Sequence, residues 1–135
     1  MESGTKPMSE VCILLVEDEE AVLGLLATLI SKRYPDFELH SANNGRAGLE
    51  LFQEHAPDIV ITDIMMPEMS GTQMVESIRE ISCGAKIIVI TAGTGKPPQE
   101  HAAGPEIDHY ILKPINFQVL CLAIEECLGD LKREK

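Results

Sequence analysis

Hydrophobic residues along this chain fall into two alternating patterns: short continuous runs, and longer stretches in which apolar positions recur every three or four residues. The runs are Val11 to Val16, Ile59 to Thr62 after Asp58, Lys86 to Ile90 and Ile107 to Leu112. Continuous aliphatic and β-branched runs of this kind predict parallel strands buried on both faces. Phe37-Glu38-Leu39-His40-Ser41 instead alternates apolar with polar, as a half-exposed edge strand does.

Between the strands the spacing turns helical. From Glu19 to Arg33 the apolar residues are Val22, Leu25, Leu26, Leu29 and Ile30, with acids in the first turn and Lys32-Arg33 in the last, as the helix dipole favours. Pro35 breaks that helix. Asn44 is a cap for a second, running to about His55 with Ala47, Leu51 and Phe52 on its buried side, and Pro57 ends it. Ser70 caps a third, which turns Met74, Val75, Ile78 and Ile81 inward. The closing helix, about Asn116 to Lys132, packs Phe117, Leu120, Cys121, Ile124 and Leu128 at the same period. Ala92 to Gly104 fits poorly, because Gly93, Gly95, Pro97, Pro98 and Gly104-Pro105 depress helix propensity; at most a short helix around Pro98 to Ala103 is expected.

Strands alternating with helices through short loops require right-handed crossovers and one parallel sheet covered on both sides. The predicted class is α/β, a doubly wound five-stranded parallel sheet with helices on both faces. Ligands of such sheets bind beyond the carboxyl ends of the strands. Those ends carry Glu17 and Asp18 after the first strand, Asp63 after the third, Thr91 after the fourth and Lys113 after the fifth. Ile59 to Gly71 is the most telling stretch: an apolar run stops at Asp63 and spills into a tight loop holding Pro67 and Gly71. Asp58 precedes that strand and is assigned to turn formation.

Composition narrows the function classes. A chain of 135 residues suits a single domain, here 11–131 between a polar lead-in (1–10) and a short tail (132–135). With 22 acidic residues against 11 Lys and Arg, the net charge of -11 argues against direct binding of nucleic acid. No apolar run approaches a bilayer span and the amino terminus lacks a signal-peptide core, so no membrane association and a cytoplasmic location are expected. Cys12, Cys83, Cys121 and Cys127 lie in apolar elements without metal-ligand spacing and read as reduced packing residues.

Were Glu17, Asp18 and Asp63 to share one crevice, their carboxylates would repel one another unless a counter-ion intervened. A hard divalent cation resolves the conflict, and all-oxygen ligation with room for water suits Mg²⁺. Lys113 adds an ammonium and Thr91 a hydroxyl donor. A cation, an ammonium and a hydroxyl around one carboxylate suit transfer of a phosphoryl group onto that carboxylate, a reaction governed by positioning and charge neutralisation.

Val-Glu-Asp-Glu-Glu after the first strand, Asp63 followed by Met-Met-Pro-Glu-Met-Ser-Gly, Ile-Thr-Ala-Gly at 90–93 and Leu-Lys-Pro at 112–114 together resemble the receiver domain of two-component response regulators, over about Val11 to Leu131. A flavodoxin-like strand order 2-1-3-4-5 goes with the resemblance. It implies that Asp63 accepts phosphoryl from the phosphohistidine of a histidine kinase or histidine phosphotransfer protein. It also implies Mg²⁺, or Mn²⁺, held by Asp18, Asp63 and the Met65 backbone carbonyl, with Glu17 acting through water. Thr91 and the Ala92 amide would contact phosphoryl oxygens, and Lys113 would pair with another. Tyr110 occupies the switch-aromatic position, coupling Thr91 to a surface read by a downstream protein or effector domain or by a second copy. A cis Lys113–Pro114 bond is part of the same pattern.

The resemblance makes the chain a signalling module that assists its own phosphorylation rather than an enzyme with an external substrate. An Asp-nucleophile phosphatase or phosphotransferase would often carry a second acid two residues on, where this chain has Met65. A flavodoxin-type carrier would need amide and hydroxyl donors where the loop after Val16 is acidic. A receiver-like interaction module working without phosphorylation is the remaining alternative.

Overall fold

The computed structural model describes residues 11–66, 68–82, 84–92 and 107–133. The lead-in, Cys83, the short helix expected at 98–103 and the last two residues lie outside them. The strands are β1 (Cys12–Val16), β2 (Glu38–Ala42), β3 (Ile59–Asp63), β4 (Lys86–Thr91) and β5 (His109–Leu112). The helices among the described residues are α1 (Glu20–Arg33), α2 (Gly45–His55), α3 (Gly71–Ile81) and α4 (Phe117–Arg133). All strands pair in parallel, in the order β2-β1-β3-β4-β5, as the resemblance implies.

Alternation along the central strands divides the core in two. Ile13, Leu15, Ile59, Ile61, Ile88 and Ile90 face α1 and α4, where Leu26, Ile30, Leu120 and Ile124 meet them. Leu14, Val16, Val60, Ile87 and Val89 face α2 and α3, against Phe52, Met74, Val75 and Ile78. Covering both faces is what allows β1, β3 and β4 to be continuous apolar runs. No described helix is long and apolar enough to cross a membrane.

Local signals set the helix starts. The Asn44 side chain accepts the Ala47 amide at 2.7 Å. Ser70 and Gln73 form a reciprocal capping box: the Gln73 amide donates to Ser70 Oγ at 3.1 Å, and the Ser70 amide donates to Gln73 Oε1 at 2.9 Å. Ser70→Ala is expected to lower stability by about 1 kcal/mol, measured by urea denaturation, with an unchanged slope against denaturant.

Two expectations need correction. Ile81, the last residue of α3, is 50% exposed rather than inward, since the helix's final turn is only partly covered. Of the apolar positions of α1, Leu26 and Ile30 are buried and Leu25 is 60% exposed. Asp58 does more than form a turn: its Oδ2 accepts the Cys12 amide at 2.9 Å while its own amide donates to the Cys12 carbonyl at 2.8 Å. That long-range clamp joins the amino ends of β1 and β3.

Candidate functional site

Register brings the strand ends together. Val16 pairs with Thr62, Asp63 with Ile90 and Thr91 with Leu112, so β1, β3, β4 and β5 finish side by side. Chain order reverses between β1 and β3, which places the crevice at the topological switch point. Glu17 and Asp18 leave β1 directly beside the end of β3, and a carboxylate oxygen from each of Glu17, Asp18 and Asp63 lies within 4.8 Å of the others.

The crevice holds charge in an enclosed place. Asp63 is 3% exposed and Glu17 1%. Lys113 Nζ reaches Asp63 Oδ2 at 2.7 Å, and the other oxygen, Oδ1, accepts the Met65 amide at 3.0 Å. Lys113 precedes Pro114 across a cis peptide bond, and its own amide donates to the Thr91 carbonyl at 2.9 Å. Thr91 is therefore the half-buried end of β4 next to Lys113, with Ala92 exposed just beyond it. Thr62, unremarked in the sequence, is fully buried and donates its hydroxyl to the Asp63 carbonyl at 2.9 Å. Tyr110 stands apart: it is 38% exposed on β5 beside Leu112, while Ile111 between them is buried.

Burial pushes the Glu17 carboxyl up from its ordinary range, and the nearby charges of Asp63 and Asp18 push the same way against the Glu19 amide and Lys113. Burial pulls Lys113 down, but the hydrogen bond and charge of Asp63, with Glu17 and Glu19, more than offset it, leaving the ammonium favoured. Glu17 Oε2 accepts the Glu19 amide at 3.0 Å, whereas Oε1 is buried without a hydrogen-bond partner. A buried, unpartnered carboxylate oxygen converging with two further carboxylates is a donor set that fits a hard, oxygen-seeking divalent cation.

The Glu17 environment sets a pH dependence. Folded Glu17 keeps its proton to higher pH than in the unfolded chain, so between those two pKa values the folded state binds more protons and loses stability as pH rises. In metal-free buffer at neutral pH, Glu17→Gln is expected to be more stable than wild type by roughly 1 kcal/mol. That advantage should shrink as the pH falls toward the ordinary carboxyl range, and denaturation across pH measures it.

Gly71 is a second residue whose role the string concealed. A Cβ there would collide with the Asp63 carbonyl oxygen and the Ile64 Cα, both backbone atoms. The Gly71 amide also donates to the Ile64 carbonyl at 3.0 Å. The start of α3 is thus pressed against the strand end that bears Asp63. Glycine is unfavourable inside a helix, and its presence directly after the Ser70 cap was the available clue.

Residues 13–125 match the family model described as the response regulator receiver domain. The chain belongs to that family. Among curated receiver relatives, the chemotaxis protein CheY of Halobacterium salinarum is 32% identical over 117 residues, which are 86% of this chain and 95% of that protein. Regulatory protein AtoC of Escherichia coli is 34% identical over 124 residues, 90% of this chain but only 26% of AtoC, so the receiver spans about a quarter of that relative. The response regulator TrrA of Thermotoga maritima, solved in complex with Mg²⁺-BeF, superimposes with a TM-score of 0.74 at 31% identity, covering 87% of this chain and 98% of that one. Receiver domains bind Mg²⁺ at an acidic site, and Glu17, Asp18 and Asp63 form a carboxylate cluster in this chain.

Proposed function

We propose that this receiver, residues 11–131, takes a phosphoryl group onto Asp63 from a histidine kinase or histidine phosphotransfer protein and changes a protein-binding surface in response. The observation that carries the reading is the 2.7 Å pairing of Lys113 Nζ with Asp63 Oδ2 beside two further carboxylates. In the proposed reaction an Asp63 oxygen forms a bond to phosphorus as the phosphorus–nitrogen bond of the donor imidazole breaks, its electron pair staying on the ring. Lys113 exchanges its bond to the carboxylate for one to a phosphoryl oxygen. The Thr91 hydroxyl and Ala92 amide hold the remaining oxygens, and the Met65 amide keeps Asp63 oriented. Mg²⁺, or Mn²⁺, would be held by Asp18, Asp63 and the Met65 carbonyl, with Glu17 through water, and supplies charge neutralisation for the transferred group. The similar TrrA, solved in complex with Mg²⁺-BeF, supports a bound Mg²⁺ by likeness.

Two surfaces suit the partners. An apolar groove of about 300 Å³, lined by Val22, Leu25, Leu29, Pro114, Ile115 and Phe117, opens beside Lys113 and fits docking of the phosphodonor protein. Tyr110 and Leu112, outward on β5, fit the readout by a downstream protein, an effector domain or a second copy, with Tyr110 reporting movement of Thr91. The test is intact mass after incubation with a small phosphodonor. A single phosphoryl adduct that forms with Mg²⁺ and vanishes with a chelator supports the proposal; no adduct with Mg²⁺ overturns it.

A further inference from the structure

The opposite edge of the sheet carries a second cluster of ligating side chains that the phosphoryl chemistry does not use. Cys12 opens β1, Glu38 opens β2 and pairs with it in register, and His40 lies two residues further along β2. Alternation puts all three on the face covered by α2, whose last residue is His55. Ligand atoms of Cys12, Glu38 and His40 lie within 4.8 Å of one another. His40 Nε2 is 2.6 Å from Glu38 Oε2, and His55 Nδ1 is 3.9 Å from the same oxygen. The two imidazoles are stacked, 3.7 Å between centroids and 16° from parallel.

We propose that Cys12, His40, His55 and Glu38 form a site for a borderline-soft divalent transition metal, Zn²⁺ being the natural occupant. The donor set decides the class: one sulfur, two imidazoles and one carboxylate match tetrahedral zinc, whereas Mg²⁺ and Ca²⁺ take oxygen alone. Bonds of about 2.0–2.3 Å to such a centre put ligand atoms roughly 3.3–3.8 Å apart. The ligand atoms of Cys12, Glu38 and His40, within 4.8 Å of one another, have to draw in by at most about 1.5 Å to reach it, and His55 Nδ1, 3.9 Å from Glu38 Oε2, is the outlying fourth donor. Binding transfers the Cys12 thiol proton to solvent and leaves a metal-bound thiolate.

Two further features fit. The Cys12 backbone is held on both sides by Asp58, at 2.9 and 2.8 Å, so the buried sulfur is presented from a fixed position. Glu38 is 56% exposed in its side chain, which opens the cluster to solvent as an entry path. The sheet would then hold a hard-cation crevice at its carboxyl edge and a soft-cation site at its amino edge, the latter tying β1, edge strand β2 and the end of α2 together.

Co²⁺ titration of the reduced protein, with excess Mg²⁺ present to occupy the acidic crevice, tests the site. The wild type is expected to develop a thiolate-to-cobalt charge-transfer band that Zn²⁺ abolishes by displacement. Cys12→Ser should lose the band, and His40→Ala and His55→Ala should each bind Zn²⁺ roughly 100-fold more weakly. Should Cys12→Ser fail to fold, the two histidine variants carry the test, since both rings are partly exposed. No band in the wild type, a band that survives in a folded Cys12→Ser, or unchanged Zn²⁺ affinity in either histidine variant overturns the proposal. Repeating the titration on Asp63→Asn keeps the result independent of the phosphoacceptor reading.

Discussion

Incubated with Mg²⁺ and acetyl phosphate, Asp63→Asn is expected to gain no mass under conditions that give the wild type a single phosphoryl adduct. An amide oxygen carries no negative charge and forms no stable bond to phosphorus, so the substitution removes the proposed nucleophile while leaving its volume almost unchanged. Loss of that group should slow adduct formation by at least about 1000-fold. The neighbouring acids offer no substitute. Glu17 is buried with one oxygen committed to the Glu19 amide, and the Lys113 ammonium points at Asp63 Oδ2 from 2.7 Å. Equal mass gain in variant and wild type would place the modification elsewhere and end the assignment of Asp63. Circular dichroism should show both proteins folded, since Asn still accepts the Met65 amide now held by Asp63 Oδ1.

Gly71→Ala should be the most destabilising of the single changes considered, by about 3–5 kcal/mol in urea denaturation. The added methyl group has to enter space held by the Asp63 carbonyl oxygen and the Ile64 Cα. Neither can swing away as a side chain would. Asp63 is paired with Ile90 in the ladder, and the Ile64 amide is bonded to the Ile90 carbonyl at 3.0 Å. Relief therefore requires either α3 to lift from the sheet, opening the contacts of Met74, Val75 and Ile78, or the end of β3 to move. In the second case Asp63 shifts with respect to Lys113, so any variant that remains folded should also be phosphorylated more slowly. A stability loss below about 1 kcal/mol with normal phosphorylation would mean that the close approach at Gly71 is not a constraint. Ordinary helix propensity works in the opposite direction, because Ala is the better helix former by about 1 kcal/mol.

Much of this was legible in the string because the physics is local or periodic. A strand covered on both faces has no polar position to interrupt it, so β1, β3 and β4 announced themselves as continuous runs. Asn44 and Ser70 satisfy amides three residues away, and that spacing is visible in sequence. The crevice was legible for a related reason: in a doubly wound sheet the residue after each strand faces one edge, and four strand ends carried three acids, a hydroxyl and an amine.

The remainder depended on distances between segments far apart in the chain. Periodicity tells which side of α3 is apolar, but not that Ile81 at its end is left half exposed; it marks Leu25 as apolar, but not that the residues of α1 buried in the core are Leu26 and Ile30. The Asp58 clamp on Cys12 spans 46 residues, and no local pattern encodes it. Cys12 read as a packing residue because its spacing to any other ligand is meaningless along the chain; register brings Glu38 and His40 to it, and α2 stacks His55 on His40. Sequence by itself determined the α/β class, the strands that form the buried sheet and the chemical types at its carboxyl edge, because burial and helix geometry repeat over a few residues. Only the tertiary structure decided which oxygen meets Lys113, which Glu17 oxygen is left without a partner and why Gly71 has no room for a side chain. Those are short-range contacts between long-range neighbours, set by strand register and layer spacing rather than by any neighbour in sequence.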